Sequence, residues 1–331
     1  MALLRDGEPR DRRDGLLDDR RRAQRRGGAV AGVDAGPPGV PVTAESAPGG
    51  RRLAVLGSPI AHSRSPELHA AAYRVLGLDW SYTAVEATEA TLAAVVADPV
   101  ALWHGLSLTM PLKHAVRPLL AEEDLVARAT GAVNTVLLDR SADVPRLRGF
   151  NTDVAGIVRA LGEAGVHSAE RVEILGGGAT AASALAAAAE LGAARVTVTL
   201  RSPEKAAPLA AIAAAVGVAL DVRPFSEWDG TDAAPLLVST LPGGASAELV
   251  VPDAVVAGST LFDVAYSPWP SPLAVRWGAA GSPVVSGLGM LLHQALLQVR
   301  VFVGGDPAVP LAEEDAVLAA MRATLPADSA L

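Results

Sequence analysis

Arg171-Val-Glu-Ile-Leu175-Gly176-Gly177-Gly178-Ala179-Thr180-Ala181 runs from a short apolar strand through three glycines into an alanine-rich helix. This is the G-x-G-x-x-(G/A) pattern in the setting that gives it meaning: strand, tight turn, helix N-terminus. Glycines let the backbone approach a pyrophosphate, and the free N–H groups of the first helical turn favour its charge. Gly176, Gly177, Gly178, Ala179 and Thr180 are therefore the expected phosphate-binding residues. A glycine string can also be a plain turn, and here the flanking strand and helix argue against that. The end of the next strand, Val196–Leu200, selects the cofactor. NAD sites usually carry Asp or Glu there, to hold the ribose 2′-hydroxyl. This chain has Arg201-Ser202-Pro203-Glu204-Lys205 instead. A guanidinium and an ammonium around a serine suit a 2′-phosphate, so the expected cofactor is NADP, held by Arg201, Ser202 and Lys205.

Strands and helices alternate on both sides of this unit. Downstream, a helix over Pro203–Val216 precedes short buried strands at Leu236–Thr240, Thr260–Val264 and Pro283–Val285. Upstream, strands at Arg51–Gly57, Trp80–Glu86 and Trp103–Thr109 alternate with helices at Ser65–Leu78 and Glu89–Ala97, and a further helix begins near Lys113. Val133–Leu138 and Arg146–Phe150 read as an antiparallel pair around the polar turn Arg140–Asp143, and a helix follows from about Asp153 to Ala164. Gly289–Phe302 and Leu311–Leu325 read as closing helices. The pattern predicts an α/β chain with covered parallel sheets, twice over. The first 50 residues mix Arg with Asp and then run through Gly, Pro, Ala and Val without apolar periodicity. They are expected to form a disordered extension.

Composition narrows the function. Half of the 331 residues are hydrophobic, and 28 basic against 36 acidic side chains give a net charge of −8. An acidic chain without a basic stripe over its folded part is a poor partner for nucleic acid or an anionic membrane. No apolar run reaches the roughly 18 residues of a membrane span, and no apolar segment of a secretory signal opens the chain. The expected setting is cytoplasmic. Cysteine is absent, which excludes disulfides, thiolate metal sites and cysteine nucleophiles. Only Lys113 and Lys205 are lysines among the 28 basic residues. In so arginine-biased a chain, a retained lysine points to work that arginine cannot do.

Three polar clusters mark the ends of strands in the first half, where open α/β sheets bind ligands. In Ser63-Arg-Ser65-Pro66 two hydroxyls meet at a helix start and could receive a carboxylate, although Ser65 is also a natural N-cap. His62 and His69 have no metal-ligand company and read as structural. In Leu106-Ser107-Leu-Thr109-Met-Pro111-Leu-Lys113, alternation puts Ser107 and Thr109 on one strand face, with Lys113 beyond its end. The third cluster pairs Gly131-Ala-Val-Asn134-Thr135 with Asn151-Thr-Asp153, where Asp153 also suits an N-cap. Together they supply hydroxyls, an amide, an ammonium and a carboxylate, a set suited to a small polyhydroxylated acid beside a hydride carrier.

These motifs, in this order, resemble the shikimate dehydrogenase family. The resemblance is carried by Ser63–Pro66, Thr109–Lys113, Gly131–Thr135 and Asn151–Asp153. Phe262-Asp-Val-Ala-Tyr266-Ser-Pro268 and Gly287-Leu-Gly-Met290-Leu-Leu-His-Gln294 extend it downstream. It implies reversible NADPH-dependent reduction of 3-dehydroshikimate to shikimate, a step in aromatic amino acid (chorismate) biosynthesis. It further implies a two-domain α/β fold, with an N-terminal α/β substrate domain and a Rossmann-type parallel-sheet nucleotide domain. The implied boundaries are 51–152 with 286–331 for the substrate domain and 153–285 for the nucleotide domain. By the same resemblance Ser63, Ser65 and Tyr266 would hold the substrate carboxylate, and Thr109, Asn134 and Gln294 the ring hydroxyls. Ser107, at the place of a frequent Asn, would also face the ring. Lys113 and Asp153 would form the catalytic pair, and Gly287 would lie near the cofactor. Ala179, Ala182 and Leu200 depart from the family's usual residues around the phosphate loop. A broad-specificity quinate/shikimate dehydrogenase and a non-catalytic ligand sensor remain rival readings. Expected partners are the small-molecule substrate and at most a second copy in a homodimer, with no nucleic acid, membrane or metal.

Overall fold

The computed structural model describes residues 50–140 and 146–326. The extension expected to be disordered and the turn after Arg140 fall almost wholly outside these residues. The chain begins as β1 (Arg52–Gly57), α1 (Ser65–Val75), β2 (Ser81–Glu86), α2 (Leu92–Val96), β3 (Gly105–Leu108) and α3 (Leu112–Ala115). It continues through the short β4 (Glu122–Glu123), α4 (Leu125–Thr130), β5 (Thr135–Asp139), β6 (Arg146–Phe150) and α5 (Asp153–Glu163). A second alternation follows: β7 (Arg171–Leu175), α6 (Ala179–Glu190), β8 (Arg195–Leu200), α7 (Ala207–Val216) and β9 (Ala219–Pro224). After β10 (Leu236–Ser239), α8 (Asp253–Gly258), β11 (Thr260–Asp263), α9 (Pro272–Ala279) and β12 (Val284–Ser286), the chain closes with α10 (Gly287–Gly304) and α11 (Glu314–Arg322).

The strands form two six-stranded sheets. The second has the order β9-β8-β7-β10-β11-β12 and is parallel throughout. Counted from β7, this is the doubly wound order 3-2-1-4-5-6, whose reversal point lies between β7 and β10. Ligands bind such sheets outside the carboxyl ends of those two strands, beside Gly176 and Thr240. The first sheet has the order β2-β1-β3-β5-β6-β4 and is only partly parallel. β5 runs antiparallel to β6, as expected for the pair flanking the polar turn, and also antiparallel to β3, which the alternation of strands and helices did not indicate. A connection as short as that between β5 and β6 cannot make the crossover that parallel neighbours need.

Sequence periodicity missed several elements. β9 reads Ala-Leu-Asp-Val-Arg-Pro and lies at the sheet edge, with Asp221 and Arg223 paired to Arg195 and Glu173. Its charges hid the strand. The helix expected over Pro203–Val216 splits into a 3₁₀ turn at Pro203–Ala206 and α7.

Each face of the first sheet is covered. Leu53 and Val55 of β1 pack with residues of α1, α10 and α11, and Ala54 and Leu56 pack with residues of α2, α3 and α4. In the second sheet, Val172 and Ile174 pack with α5 and with the alanines of α6. Of the described helices, only α10 is long and apolar enough to cross a bilayer, and 78% of it is buried inside the fold. The contact of α5 with α10 positions the site. A Cβ on Gly156 would stand 2.9 Å from Gln294 Cβ and 3.2 Å from Met290 O, so glycine is what allows the helices to approach. Gly156→Val is expected to lower stability by about 1–3 kcal/mol, since the added bulk must separate two buried helices. Urea unfolding measures this, and an unchanged midpoint would contradict it.

Candidate active site

A cleft of about 410 Å³ brings together ten of the expected site residues: Ser63, Ser65, Ser107, Thr109, Lys113, Asp153, Thr180, Tyr266, Gly287 and Gln294. A roomier hollow of about 700 Å³, lined by Glu163, Trp269 and Arg322 among others, holds none of them. Convergent polar groups, not volume, mark the site.

Lys113 and Asp153 form its centre. Lys113 Nζ donates to Asp153 Oδ2 at 2.6 Å, and the two side chains are only 11% and 4% exposed. Lys113 reaches Asp153 from the single-turn α3, and Asp153 opens α5. The expected alternative role of Asp153 as N-cap is taken by its neighbour. Asn151 Oδ1 accepts from the backbone N–H of Asp153 at 2.9 Å and of Val154 at 3.4 Å. The carboxylate is thereby left to Lys113. Its other oxygen accepts from Asn134 Nδ2 at 2.8 Å. That amide nitrogen also lies 2.8 Å from Thr152 Oγ1 and 3.3 Å from Gln294 Oε1. Asn134 is thus a buried hub that fixes Asp153 and Gln294. An ammonium carries three donors, and the carboxylate uses one, so Lys113 keeps protons for a ligand.

The serines differ from expectation in one respect. Ser65 is the first residue of α1 and its side chain caps nothing; the backbone N–H of Ser65 instead donates to Ser63 Oγ at 3.3 Å. Ser63, the residue without an assigned structural role in the sequence, does the local capping. Tyr266 lies near the Arg64 guanidinium, which opposes the upward push of burial on its hydroxyl. Ser107 is buried on β3 and accepts from the Tyr82 hydroxyl at 2.6 Å. Of the two histidines, His62 is exposed on the cleft wall while His69 is fully buried.

His69 stacks on Tyr82 with ring centroids 3.8 Å apart. Burial pushes it down to about 3, against the raising effect of its hydrogen bond to Gln298. The unfolded chain therefore binds a proton at this residue below about pH 6.5 that the folded chain refuses until about pH 3. Stability contributed by neutral His69 falls as pH drops through that window, by up to about 1.4 kcal/mol per pH unit. His69→Phe, which keeps a ring against Tyr82, is expected to be less stable at pH 7 and to show a flatter acid limb in denaturation curves. An acid limb as steep as that of the unmodified protein would contradict this.

The nucleotide end lies at the reversal point of the second sheet. Gly176 has φ of +105°, a conformation that favours glycine, and a Cβ there would stand 2.6 Å from Thr240 Oγ1. A Cβ on Gly177 would stand 2.9 Å from Leu200 Cδ1, whereas one on Gly178 would meet nothing within 4 Å. The turn is packed tightly against the sheet and open at the helix start. Gly178 is the N-cap of α6 and no side chain caps that end, which leaves the first-turn N–H groups for an anion. Ala182 is buried in the core on α6. Arg201, Ser202 and Lys205 follow β8, outside the cleft; Arg201 and Lys205 are exposed, with no ion pair among the described residues. Thr240, Leu241, Pro242 and Gly243 also line the cleft. Sequence reasoning passed over them, although their place just after a short buried strand at the sheet's carboxyl edge was the available signal.

A shikimate dehydrogenase (NADP(+)) from Citrifermentans bemidjiense is 36% identical over 265 residues, which cover 76% of this chain and 90% of that relative. The chain belongs to the shikimate dehydrogenase family. A family model described as the shikimate dehydrogenase substrate binding domain matches residues 55–136, a span that includes β3 and Lys113. Among solved structures, shikimate dehydrogenase of Mycobacterium tuberculosis aligns with a TM-score of 0.71 at 41% identity, covering 82% of this chain and 99% of the other. The Thermus thermophilus enzyme in complex with NADP(H) and shikimate aligns with a TM-score of 0.66 at 32% identity, covering 83% and 100%. Against this family background, Thr180 in the first turn of α6 lines the same cleft as Lys113 and Asp153.

Proposed function

We propose that this shikimate dehydrogenase reduces the C3 ketone of 3-dehydroshikimate to shikimate with NADPH, reversibly, and that Lys113 supplies the proton. The observation that carries this is the buried 2.6 Å contact of Lys113 Nζ with Asp153 inside the cleft shared with Thr180. NADPH, when bound, supplies the hydride to C3. Gly176 to Thr180 would hold its pyrophosphate, Arg201, Ser202 and Lys205 its 2′-phosphate, and Gly287 would lie beside it. The donor set fits: an uncapped helix start, a glycine with open space at its Cβ, and two exposed cations without an ion-pair partner among the described residues.

The chain's own residues do the rest. Ser63 and Ser65, with Tyr266 beside them, would take the substrate carboxylate; Ser107, Thr109, Asn134 and Gln294 would hold ring hydroxyls. This placement orients the C3 oxygen toward Lys113 Nζ. As negative charge grows on that oxygen, the ammonium stabilises it and donates a proton. Asp153, fixed by Asn134, keeps the ammonium aimed and passes a proton back from solvent. Guanidinium is too weak an acid for this at neutral pH, which accounts for a lysine in an arginine-biased chain.

Residues 51–152 with 286–331 would form the substrate domain and 153–285 the nucleotide domain, hinged near Asp153 and Ser286. The division is supported by the two separate six-stranded sheets. The cytoplasmic setting and the homodimer expected from the sequence belong to the same proposal, and fractionation and sedimentation test them. Absorbance at 340 nm, a general property of NAD(P)H, tests the reaction: NADP-dependent oxidation of shikimate is expected, well above the rate with quinate or NAD. Absence of shikimate turnover would overturn the proposal.

A further inference from the structure

Gln298 lies outside the motifs that mark the site, yet its side chain lines the same cleft and is 2% exposed. It stands one helical turn beyond Gln294 on α10. Its contacts fix the direction of the protons around it. The backbone carbonyl of Asn134 only accepts, so the amide nitrogen of Gln298 faces it, at 3.3 Å. The amide oxygen then accepts from Ser107 Oγ at 2.7 Å and from His69 Nε2 at 3.3 Å. His69 Nδ1, which carries no proton in that tautomer, accepts from the Tyr73 hydroxyl at 3.1 Å. Tyr82 donates to Ser107 at 2.6 Å. Around this network two functions have no partner among the described residues: a lone pair on Ser107 Oγ and the second N–H of Gln298.

We propose that Gln298 and Ser107 together read one ring hydroxyl of the substrate, a hydroxyl that survives the reaction unchanged. That hydroxyl donates to Ser107 Oγ and accepts from Gln298 Nε2. A ketone oxygen only accepts, and there it would meet the Ser107 lone pair, because the Ser107 proton is committed to Gln298. The pair therefore rejects the C3 oxygen in its ketone state and fixes the ring so that C3 is presented to Lys113. Gln298 is a specificity residue on this reading, which rests on the cleft being the substrate site proposed above.

The test compares shikimate with 4-deoxyshikimate and 5-deoxyshikimate, on the unmodified protein and on Gln298→Met, which keeps the volume and removes both amide functions. The unmodified protein is expected to lose about 10–100-fold in kcat/KM on one of the analogues, the scale of an unpaired buried polar group. In Gln298→Met, kcat/KM for shikimate is expected to fall by a similar factor, mainly through KM, with the KM for NADP unchanged. On the discriminated analogue the variant should differ from the unmodified protein by less than about threefold, because the partner of Gln298 is already gone. Equal losses on shikimate and both analogues would overturn the proposal, as would an unmodified protein that discriminates against neither. If Gln298→Met does not fold, Gln298→Asn, which withdraws the amide by one methylene, is read by the same ratio. Failure of the cleft assignment shows separately, as normal turnover in Lys113→Ala.

Discussion

Lys113→Ala is expected to lower kcat for 3-dehydroshikimate reduction by about 10²–10⁴-fold, the usual contribution of a positioned general acid. The KM for NADPH should change little, because Lys113 stands among the substrate-facing residues and not at the glycine turn. The variant also leaves Asp153 buried without its counter-charge, a loss that costs about 3–5 kcal/mol where a buried pair is broken. Lower kcat could then be mistaken for lower folded fraction, so Lys113→Arg is the informative companion. It keeps the positive charge beside Asp153 but cannot release a proton at neutral pH. It is expected to be folded and nearly as slow as the alanine variant. Steady-state assays with active-site titration measure both, and near-normal turnover in Lys113→Arg would show that charge alone suffices.

Arg201→Ala is expected to raise the KM for NADPH by about 10–100-fold, the scale of lost charge-assisted hydrogen bonds, while moving the KM for NADH by no more than about twofold. The guanidinium stands just after β8, exposed and without an ion-pair partner among the described residues. Its removal therefore disturbs no packing, and the change in cofactor preference can be read directly. An equal effect on both cofactors would place the 2′-phosphate elsewhere. Adding Lys205→Ala should extend the same shift, since the two cations flank one serine.

Much of this was legible in the sequence because the decisive signals are local. The strand, glycine turn and helix read at Arg171–Ala181 lie within one unit, and they are β7, the turn after it and the start of α6. Alternation placed Ser107 and Thr109 on one face, and Lys113 follows on α3 just beyond the strand's end. What stayed hidden depends on the fold. β9 carries charges satisfied by neighbouring strands, Asp221 by Arg195 and Arg223 by Glu173, and a charged edge strand shows no apolar period. The antiparallel pair β5–β6 was legible from its polar turn, whereas the pairing of β5 with β3 is specified by no local pattern. Gln298 acquires meaning only when α10 meets β3 and Asn134. One trace was present: Gln294 and Gln298 are four residues apart on an apolar helix, so both amides fall on one face. The capping of α1 by Ser63 and of α5 by Asn151 likewise turns on backbone geometry that residue types alone left ambiguous.

The most direct test is a crystal structure of the protein with shikimate and NADP bound. Lys113 Nζ should lie about 2.6–3.2 Å from the C3 oxygen of shikimate, within hydrogen-bond reach, and still be paired with Asp153. A ring bound outside this cleft, or one whose C3 oxygen lies beyond the reach of Lys113 directly or through one water, would contradict the assignment of Lys113 as the proton donor.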